Sequence, residues 1–328
     1  MSSAGAATSD PGAERRCGFV AVIGAPNAGK STLVNRLVGA KVSIVTQKVQ
    51  TTRAQIRGIA MIGASQIVLV DTPGIFEPKR RLDRAMVAAA WASVDEADCV
   101  LLVVDAAACA AAQDGAGDGA ARRAAEDVER IVTRMQADGR RAILALNKID
   151  RLKRDRLLAL VKEFNDRGVF SDVFLISAAT GDGVEDLGRF LAAQMPPGPW
   201  HFAEDQLADI SERLMAAEIT REKLFLRLHE ELPYAATVET EGWKRTRRGE
   251  LRIEQTIYVS RPGHKAIVLG KGGRTIKEIG QAARAEIEEF LGEKAHLFLF
   301  VKLRENWQDD PERFRQMGLD FHGAGGGG

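Results

Sequence analysis

The sequence of 328 residues predicts an α/β domain with a mostly parallel sheet and helices on both faces, followed by an α+β domain. Three observations predict this. From residue 19 to about 195, short apolar segments alternate with helix-length stretches, as in a parallel sheet. The segment Met195-Pro196-Pro197-Gly198-Pro199-Trp200 then interrupts the pattern, because proline cannot continue a helix. Beyond it, helical and alternating segments follow in the order α-β-β-α-α-β.

In the first domain, apolar runs predict strands at residues 19–23, 66–71, 97–105, 142–147 and 173–177. Functional loops are expected at the carboxyl ends of these strands. Residues 106–123 are rich in Ala, Gly and Asp, which predicts a flexible surface insertion before a helix at 124–138. The sequence thus predicts a disordered tail at 1–16, a first domain at 17–195 and a proline-rich linker at 196–206.

The second domain is predicted at residues 207–307, with a C-terminal tail at 308–328. Apolar residues between 207 and 232 recur at helical spacing, and those from 251 to 259 alternate with polar ones. A second helical pattern covers 276–290, and 297–303 is a final apolar strand. The glycine run 323–328 is expected to be disordered.

Composition excludes several classes of protein. The chain is 45% hydrophobic and 28% charged, which is ordinary for a globular protein. It has no apolar run of 18 residues and no apolar core in its first 14 residues, so we expect neither a membrane-spanning helix nor a signal peptide. Three cysteines, an odd number, indicate reduced thiols and therefore a cytoplasmic location.

A phosphate-binding loop follows the first predicted strand. The motif G-x-x-x-x-G-K-S joins that strand to a helical pattern, which is the context such a loop requires. Its glycines let backbone N–H groups converge on phosphates, and the helix N-terminus adds partial positive charge. The predicted nucleotide-binding residues here are Gly24, Ala25, Pro26, Asn27, Ala28, Gly29, Lys30 and Ser31. Among them, Lys30 should reach the β- and γ-phosphates, and the Ser31 hydroxyl should bind Mg²⁺.

Two further motifs suit the phosphates and the metal. The second strand ends in Asp71, Thr72, Pro73 and Gly74. The Asp71 carboxylate can hold Mg²⁺ through water, and the Gly74 N–H can sense the γ-phosphate. Between these motifs lies Gln50-Thr51-Thr52-Arg53, a candidate switch segment. We favour Thr52 over Thr51 as the hydroxyl that completes the Mg²⁺ coordination.

The last two motifs suit a guanine base. The fourth strand ends in Asn147, Lys148, Ile149 and Asp150, and the fifth in Ser177, Ala178 and Ala179. An ionised Asp150 can accept hydrogen bonds from guanine N1–H and the 2-amino group. Adenine lacks that pair of donors, so a buried Asp150 would be left unpaired and reject it. Backbone N–H groups of the last motif can contact the guanine oxygen.

Motifs in this order, each at a strand end, resemble those of the translation-factor-related GTPases. The resemblance implies GTP and Mg²⁺ as ligands, and in-line attack of water on the γ-phosphorus. The predicted catalytic residues are Asn27, Lys30, Thr52 and Gly74. Ile75 stands where the Ras pattern has a glutamine that orients the water, so intrinsic hydrolysis should be slow. In GTPases with this loop sequence, the asparagine that corresponds to Asn27 can help to bind a monovalent cation, often K⁺, whose charge would stabilise the transition state.

A second informative stretch lies in the basic part of the chain. Residues 243–304 contain 14 Lys and Arg against 7 Asp and Glu, although the whole chain has a net charge of only +1. Within this region, a G-x-x-G loop joins two helical patterns and predicts an RNA-binding KH module of type II. Its glycines let the backbone approach a sugar-phosphate chain. The predicted RNA-binding residues are Lys265, Gly270, Lys271, Gly272, Gly273 and Arg274.

From Phe19 to Leu303 the chain resembles the Era family of bacterial ribosome-assembly GTPases. Besides the GTPase motifs, the resemblance rests on Lys48-Val49-Gln50-Thr51-Thr52-Arg53, Glu218-Ile219-Thr220-Arg221-Glu222-Lys223, Glu231-Leu232-Pro233-Tyr234 and the stretch from Gly263 to Gly273. It implies a GTP-dependent switch that binds 16S ribosomal RNA near its 3′ end and assists maturation of the 30S subunit. It also implies peripheral association with the inner membrane. We expect a monomer.

Several alternatives stay open. A P-loop ATPase or kinase is a second enzyme class, which Asp150 argues against. The chain is also compatible with a scaffold in which hydrolysis only releases RNA, or with a membrane-surface GTPase. The basic cluster Trp243-Lys244-Arg245-Thr246-Arg247-Arg248 suits RNA, anionic lipid or neither. Glu218, Arg221 and Glu231 are compatible with helix salt bridges or with a functional role.

Overall fold

The computed structural model describes residues 14–46, 48, 51–228, 232–305 and 307–321. Outside these residues lie positions 1–13 of the tail predicted at 1–16, Val49, Gln50, Glu231 and the glycine run 323–328. The chain divides into two compact units. The first contains the described residues of Met1–Ser43, Thr52–Asp209 and Met317–Gly328, and the second those of Ile44–Thr51 and Ile210–Gln316.

The first unit contains a six-stranded sheet in the order β2-β3-β1-β4-β5-β6. Its strands are β1 (Arg16–Ile23), β2 (Ile56–Ile62), β3 (Ser65–Asp71), β4 (Cys99–Asp105), β5 (Ala142–Asn147) and β6 (Phe170–Leu175). All neighbours pair in parallel except β2, which is antiparallel to β3. The predicted mostly parallel sheet is therefore confirmed. The prediction omitted β2, and β1 begins at Arg16, inside the predicted tail.

Helices cover both faces of this sheet because alternate residues of the strands point in opposite directions. Val20 and Val22 join one apolar cluster, whereas Ala21 and Ile23 join the other. The first cluster is covered by α1 (Lys30–Val38) and α6 (Val184–Gln194). The second is covered by α2 (Arg81–Glu96), α3 (Ala106–Gln113), α4 (Gly119–Ala137) and α5 (Arg154–Asp166).

The prediction of a flexible insertion at 106–123 was wrong. This segment contains α3 and the first turn of α4. The Asp105 carboxylate caps α3 by accepting from Ala108 N, and Asp118 caps α4 by accepting from the N–H groups of Ala120 and Ala121. Alanine has the highest helix propensity, and Cys109 of α3 packs into the core at 6% exposure. The alanines are therefore helix formers here.

The second unit has the predicted order α-β-β-α-α-β, followed by a further helix. Its elements are α7 (Glu212–Arg227), β7 (Ala236–Arg245), β8 (Leu251–Val259), α8 (Pro262–Leu269), α9 (Arg274–Leu291), β9 (Ala295–Leu303) and α10 (Pro311–Gln316). β8 pairs antiparallel with β7 and parallel with β9. Apolar residues of α7 and α9 cover the sheet.

The segment assigned to a C-terminal tail at 308–328 contains α10, which packs into the second unit. Phe314 is 1% exposed, and the Arg313 guanidinium lies over the Tyr258 ring at 4.4 Å. The neighbouring Trp307 donates from Nε1 to Ala235 O at 3.1 Å. A short run with one tryptophan and one phenylalanine gives too little apolar periodicity to predict such a helix.

Candidate functional site

The phosphate-binding loop joins β1 to α1 in the conformation that its glycines allow. Gly24 and Gly29 have φ angles of 151° and 99°, which L-residues rarely adopt. A Cβ on Gly24 would lie 2.2 Å from Val103 O, and one on Gly29 would lie 2.2 Å from Asn147 Nδ2. Both positions therefore require glycine. Asn27 also has a positive φ, 61°, and its side chain is exposed.

Lys30 is the buried cation of this loop. Its Nζ donates to Gly24 O at 3.2 Å and to Ala25 O at 3.0 Å. Burial lowers the pKa of Lys30 to about 8, and the negative charge of Asp71 partly opposes that shift. A phosphate oxyanion at this position would favour the charged form of the lysine.

Three oxygen-bearing side chains from separate segments converge beside Lys30. Ser31 Oγ donates to Asp71 Oδ2 at 2.7 Å and lies 2.9 Å from Thr52 Oγ1. Burial raises the pKa of Asp71, an effect opposed by the Ser31 hydrogen bond and by Lys30. Asp71 Oδ1 is buried and accepts no hydrogen bond from the described residues. Hydroxyl and carboxylate oxygens with an unused acceptor suit Mg²⁺, which prefers oxygen ligands.

The segment after Asp71 is tied to the phosphate-binding loop through its backbone. Thr72 is buried and its Oγ1 donates to Val22 O at 2.9 Å. Ile75 N donates to Gly24 O at 3.0 Å. A Cβ on Gly74 would lie 2.9 Å from Pro26, so this glycine lets the two loops approach. Pro73 completes the connection between Thr72 and Gly74.

Ile75 was predicted among the nucleotide-binding residues, but its side chain lies in the core. It is 5% exposed and packs in the cluster that contains Ala25 and Ile23. Only its backbone is therefore near the loop. No side chain at position 75 is available to orient a water molecule.

The motif after β5 links the phosphate-binding loop to the loop that follows β6. Asn147 is 2% exposed. Its Nδ2 donates to Ala28 O at 2.8 Å, and its Oδ1 accepts from Ala178 N at 2.9 Å. Lys148 Nζ donates to Asn27 O at 2.7 Å and pairs with Asp105 Oδ2 at 2.5 Å. Sequence reasoning missed Asp105, although its position at the end of β4 was a signal for it.

Asp150 lies at the predicted position but is exposed in this structure. Its Oδ1 accepts from Ser177 Oγ at 2.6 Å. The burial assumed for its selectivity is thus not provided by the protein alone, and a bound base would have to supply it. Ile149 N donates to Ile176 O at 3.3 Å, which anchors the motif to the end of β6.

Two of the three N–H groups predicted to contact the guanine oxygen already have partners. Ser177 N donates to Asp182 O at 2.9 Å, and Ala178 N donates to Asn147 Oδ1. In the part of the chain that the structure describes, the Ala179 N–H has no such partner. Of the three predicted contacts to the guanine oxygen, only the one from the Ala179 N–H is retained. The N–H groups of Ser177 and Ala178 instead form hydrogen bonds that stabilise the loop.

In the second unit, the G-x-x-G loop also depends on its glycines. Gly270, Gly272 and Gly273 have φ angles of 71°, 61° and 76°. A Cβ on Gly270 would lie 2.1 Å from Thr275 Oγ1, so α9 can start directly after the loop only if this residue is glycine. The loop separates α8 from α9 and exposes Lys271.

Of the predicted basic residues, Lys265 lies within α8, Lys271 lies in the loop, and Arg274 is the first residue of α9. Lys265, Lys271 and Arg274 are exposed, and no salt bridge involving them is found within the described ranges. Beside them, Ile267 is 56% exposed. A Cβ on Gly280 would touch Leu299 at 3.4 Å, so α9 approaches β9 closely. Sequence reasoning missed Gly280, since one glycine inside a helix is a weak signal.

Three further observations concern metal-binding side chains, membrane-spanning helices and the basic cluster at residues 243–248. Within the described ranges, no group of three or more His, Cys, Asp or Glu side chains could hold a metal. A search of the same residues finds no helix long and apolar enough to cross a membrane. In the basic cluster, Arg245 pairs with Glu293 at 2.8 Å, while Lys244, Arg247 and Arg248 are exposed.

Comparisons with known proteins match both units. The family model described as 50S ribosome-binding GTPase matches residues 19–148, and the KH domain model matches residues 231–308. GTPase Era from Caulobacter vibrioides (strain NA1000 / CB15N) is 59% identical over 312 residues, which cover 95% of this chain and 99% of that protein. GTPase Era from Brucella suis biovar 1 is 57% identical, with 94% of each chain covered.

Two solved structures are similar over nearly the whole chain. One is Era in complex with MgGDPNP and nucleotides 1506–1542 of 16S ribosomal RNA. It has a TM-score of 0.83 and 35% identity, and covers 93% of this chain and 99% of that one. The other is a variant of Aquifex aeolicus Era bound to GDP and AlF4⁻, with a TM-score of 0.82, 35% identity and 92% and 99% coverage.

Proposed function

The chain belongs to the Era family of GTPases, and we propose that it acts as a GTP-dependent switch on 16S ribosomal RNA. In this proposal it binds the RNA near its 3′ end, assists maturation of the 30S subunit, and uses GTP hydrolysis to GDP and phosphate to end each binding event. The observation that carries the nucleotide assignment most strongly is the convergence of Lys30, Ser31, Thr52 and Asp71 from three separate segments.

Each side chain near the phosphates has a proposed role. The loop N–H groups and Lys30 bind the β- and γ-phosphates, and the Gly74 N–H contacts the γ-phosphate. Ser31 and Thr52 would hold Mg²⁺ directly, and Asp71 through water, with its unpaired Oδ1 as the acceptor. When bound, Mg²⁺ supplies positive charge that offsets the charge of the phosphates. Thr52 can meet this requirement only when its segment is ordered, which makes it the residue that distinguishes GTP from GDP.

The base site is proposed to select guanine through Asp150, with the Ala179 N–H donating to the guanine oxygen. Ser177 donates to Asp150 Oδ1, which would orient the carboxylate so that it can accept from the base. Competition of GTP and ATP for the protein tests this assignment against the ATPase and kinase alternatives. Displacement of bound GTP by equimolar ATP would contradict it.

Hydrolysis is proposed to depend on K⁺. Ile75 is buried in the core, so no side chain there can orient the attacking water or stabilise charge. Asn27 has a positive φ and an exposed side chain in the phosphate-binding loop, where an amide oxygen could help to bind a monovalent cation. Turnover should therefore be faster in K⁺ than in Na⁺, and Asn27→Ala should remove the difference. Equal turnover in both salts, unchanged by the substitution, would refute the proposal.

The RNA site is proposed at the G-x-x-G loop. Lys265, Lys271 and Arg274 would neutralise phosphates, and the apolar surface around Ile267 and Leu299 would hold unstacked bases. Lys271→Ala with Arg274→Ala should weaken RNA binding for all sequences and reduce its salt dependence by about two charges. A matched control is Arg154→Ala with Lys162→Ala, which removes two exposed cations from α5. Equal effects of the two double variants would remove this site assignment.

The cellular target can be tested in one experiment. Crosslinking the protein to total RNA with GTP or GDP bound should recover 16S RNA preferentially in one nucleotide state. Recovery of unrelated RNA in both states would contradict the switch. A Thr52 variant that cannot hydrolyse GTP yet preserves ribosome assembly would instead favour a scaffold.

We further propose that the protein is a cytoplasmic monomer with peripheral association with the inner membrane. The exposed Lys244, Arg247 and Arg248 at the β7–β8 turn suit anionic headgroups as well as RNA phosphates. Sedimentation with anionic vesicles, compared with neutral ones, tests the membrane part. Equal sedimentation with both would leave RNA as the ligand of this turn.

A further inference from the structure

The segment that precedes Thr52 belongs to the second unit, although it lies within the first domain in sequence. Residues Ile44–Thr51 group with Ile210–Gln316. Val45 N donates to Glu222 Oε1 at 2.9 Å, and Lys48 Nζ donates to Phe225 O and Leu228 O. These carbonyls end α7, where a cation is favoured by the unpaired groups and by the helix dipole. The segment is therefore held to α7 at Val45 and at Lys48.

Arg221 makes the contact nearest to Thr52. Its side chain is 2% exposed, and its Nη2 donates to Thr51 O at 2.5 Å. Its Nε donates to Glu218 Oε1 at 2.8 Å, and its guanidinium lies 5.2 Å from the Phe225 ring centroid. A buried guanidinium is costly unless it is paired and hydrogen-bonded. Glu218 neutralises the charge and fixes its orientation, and the Thr51 carbonyl receives the directed N–H.

The consequence for Thr52 follows from the geometry of the peptide bond. The Thr51 carbonyl and the nitrogen and Cα of Thr52 lie in one rigid plane. A hydrogen bond that holds the carbonyl therefore restricts the backbone from which the Thr52 side chain projects. The Thr52 hydroxyl lies 2.9 Å from Ser31 Oγ in this arrangement.

We propose that Arg221 is a positioning residue for GTP recognition, acting on Thr52 through the Thr51 carbonyl. The inference rests on the proposed role of Thr52 and adds to it the group that holds Thr52 in place. Thr52 is needed only for the triphosphate, so the Arg221 contact stabilises the GTP complex and leaves the GDP complex unaffected. This differs from the helix salt bridge suggested by the sequence, which would affect both complexes equally.

The test compares affinities of the full chain for a non-hydrolysable GTP analogue and for GDP, both with Mg²⁺. Arg221→Gln should weaken analogue binding by about tenfold to a hundredfold, since hydrogen bonds to charged groups contribute about 1.5 to 3 kcal/mol. GDP affinity should stay within about twofold of the parent value. Arg221→Lys should give an intermediate loss. The matched control is Arg227→Ala, which removes an exposed arginine from the same helix and should change neither affinity.

A double-substitution cycle with Thr52→Ala separates the possible results. Thr52→Ala should produce the same selective loss, and combining it with Arg221→Gln should add little, because both act on one contact. Additive losses, equal losses for both nucleotides, or no loss in Arg221→Gln would overturn the inference while Thr52→Ala remained selective. If Thr52→Ala itself is not selective, the proposed role of Thr52 fails, and the inference with it.

Lys48→Ala provides a second variant that leaves Arg221 buried and should give a smaller selective loss. No selective loss in that variant would also count against the inference.

Discussion

At the residue scale, the phosphate site contains two buried ionisable side chains, Lys30 and Asp71. Their opposite charges partly compensate for the cost of burying each of them. Burial lowers the pKa of Lys30 and raises that of Asp71, and each charge partly opposes the shift of the other. Both charged forms are thus held in a medium that disfavours them. A bound phosphate would offset the cost of burying Lys30, and Mg²⁺ would offset the cost of burying Asp71. The site therefore lowers the stability of the free protein and favours nucleotide binding.

Replacing Lys30 by methionine should stabilise the nucleotide-free protein while abolishing GTP binding. The pKa of Lys30 falls from an ordinary 10.5 to about 8, so below pH 8 the native state holds a charged form that it disfavours. The cost is relieved as the pH rises from 8 to 10.5, since the unfolded state then binds more protons than the native state. We expect a gain of about 1 to 3 kcal/mol at pH 7.5.

Urea unfolding of the two proteins at pH 7.5 and pH 9.5 checks this expectation. The advantage of Lys30→Met should shrink by about 2 kcal/mol between the two values, in the direction given by the linkage relation. An advantage that grows with pH, or a variant less stable than the parent at pH 7.5, would contradict the argument.

Asp150→Asn should reverse part of the base preference. The substitution replaces two charged acceptors by one neutral acceptor and one donor, so guanine loses at least one charge-assisted hydrogen bond. We expect GDP affinity to fall by about a hundredfold, from about 3 kcal/mol of lost interaction. Xanthine carries an oxygen where guanine carries the 2-amino group, so its nucleotide should gain affinity. Titration with GDP and XDP measures both changes, and a parallel loss for the two nucleotides would argue against base contact.

At the element scale, the sequence predicted those parts whose conformation is set by local chemistry. The loop from Gly24 to Ser31 was predictable because its glycines, its position after a strand and its lysine are all local signals. The same holds for Gly270, Gly272 and Gly273 between two helical patterns. Neither prediction needed long-range information.

The elements that sequence reasoning missed depend on packing partners far along the chain. β2 is an edge strand whose burial depends on pairing with β3 on one side and on Leu207 and Ala208 on the other. α3 looked like a flexible insertion because small residues give no amphipathic pattern, yet Cys109 and Ala110 fill space against the sheet. Similarly, Asp105 became a site residue only when β4 and β5 brought it to Lys148.

Gly270 and Gly272 should respond differently to alanine, which tests the G-x-x-G loop as an element. Both have a positive φ, but a Cβ on Gly270 would collide with Thr275, whereas one on Gly272 meets nothing within 4 Å. Gly272→Ala should therefore cost about 1 kcal/mol of stability, from backbone strain alone. Gly270→Ala adds a steric clash and should cost about 2 to 3 kcal/mol. Urea unfolding ranks the two, and equal stability would show that the loop relaxes around the added methyl.

At the scale of the whole molecule, the chain passes several times between its two units, and one of these passages ends at the nucleotide-site residue Thr52. The chain passes from one unit to the other at residues 43–44, 51–52, 209–210 and 316–317. The first two crossings bracket residues 44–51, from which Val45, Lys48 and Thr51 form hydrogen bonds with α7, and the second crossing ends at Thr52. Sequence reasoning placed this segment in the first domain because it lies between two motifs of the nucleotide site. Its real partners are 170 to 180 residues away.

This path predicts that nucleotide and RNA affinities are linked in the full chain. If RNA binding changes the affinity for a GTP analogue by some factor, the analogue must change the affinity for RNA by the same factor. We expect a factor of about 5 to 150, the usual range of such coupling, with GDP giving a smaller one. Thr52→Ala should reduce the factor for the analogue to that for GDP, because it removes the side chain that distinguishes the two nucleotides. The measurement is a pair of titrations, RNA with and without saturating analogue and analogue with and without saturating RNA. A factor of one in the parent protein would show that the two units bind their ligands independently, whereas a factor unchanged by Thr52→Ala would place the coupling outside the 44–52 segment.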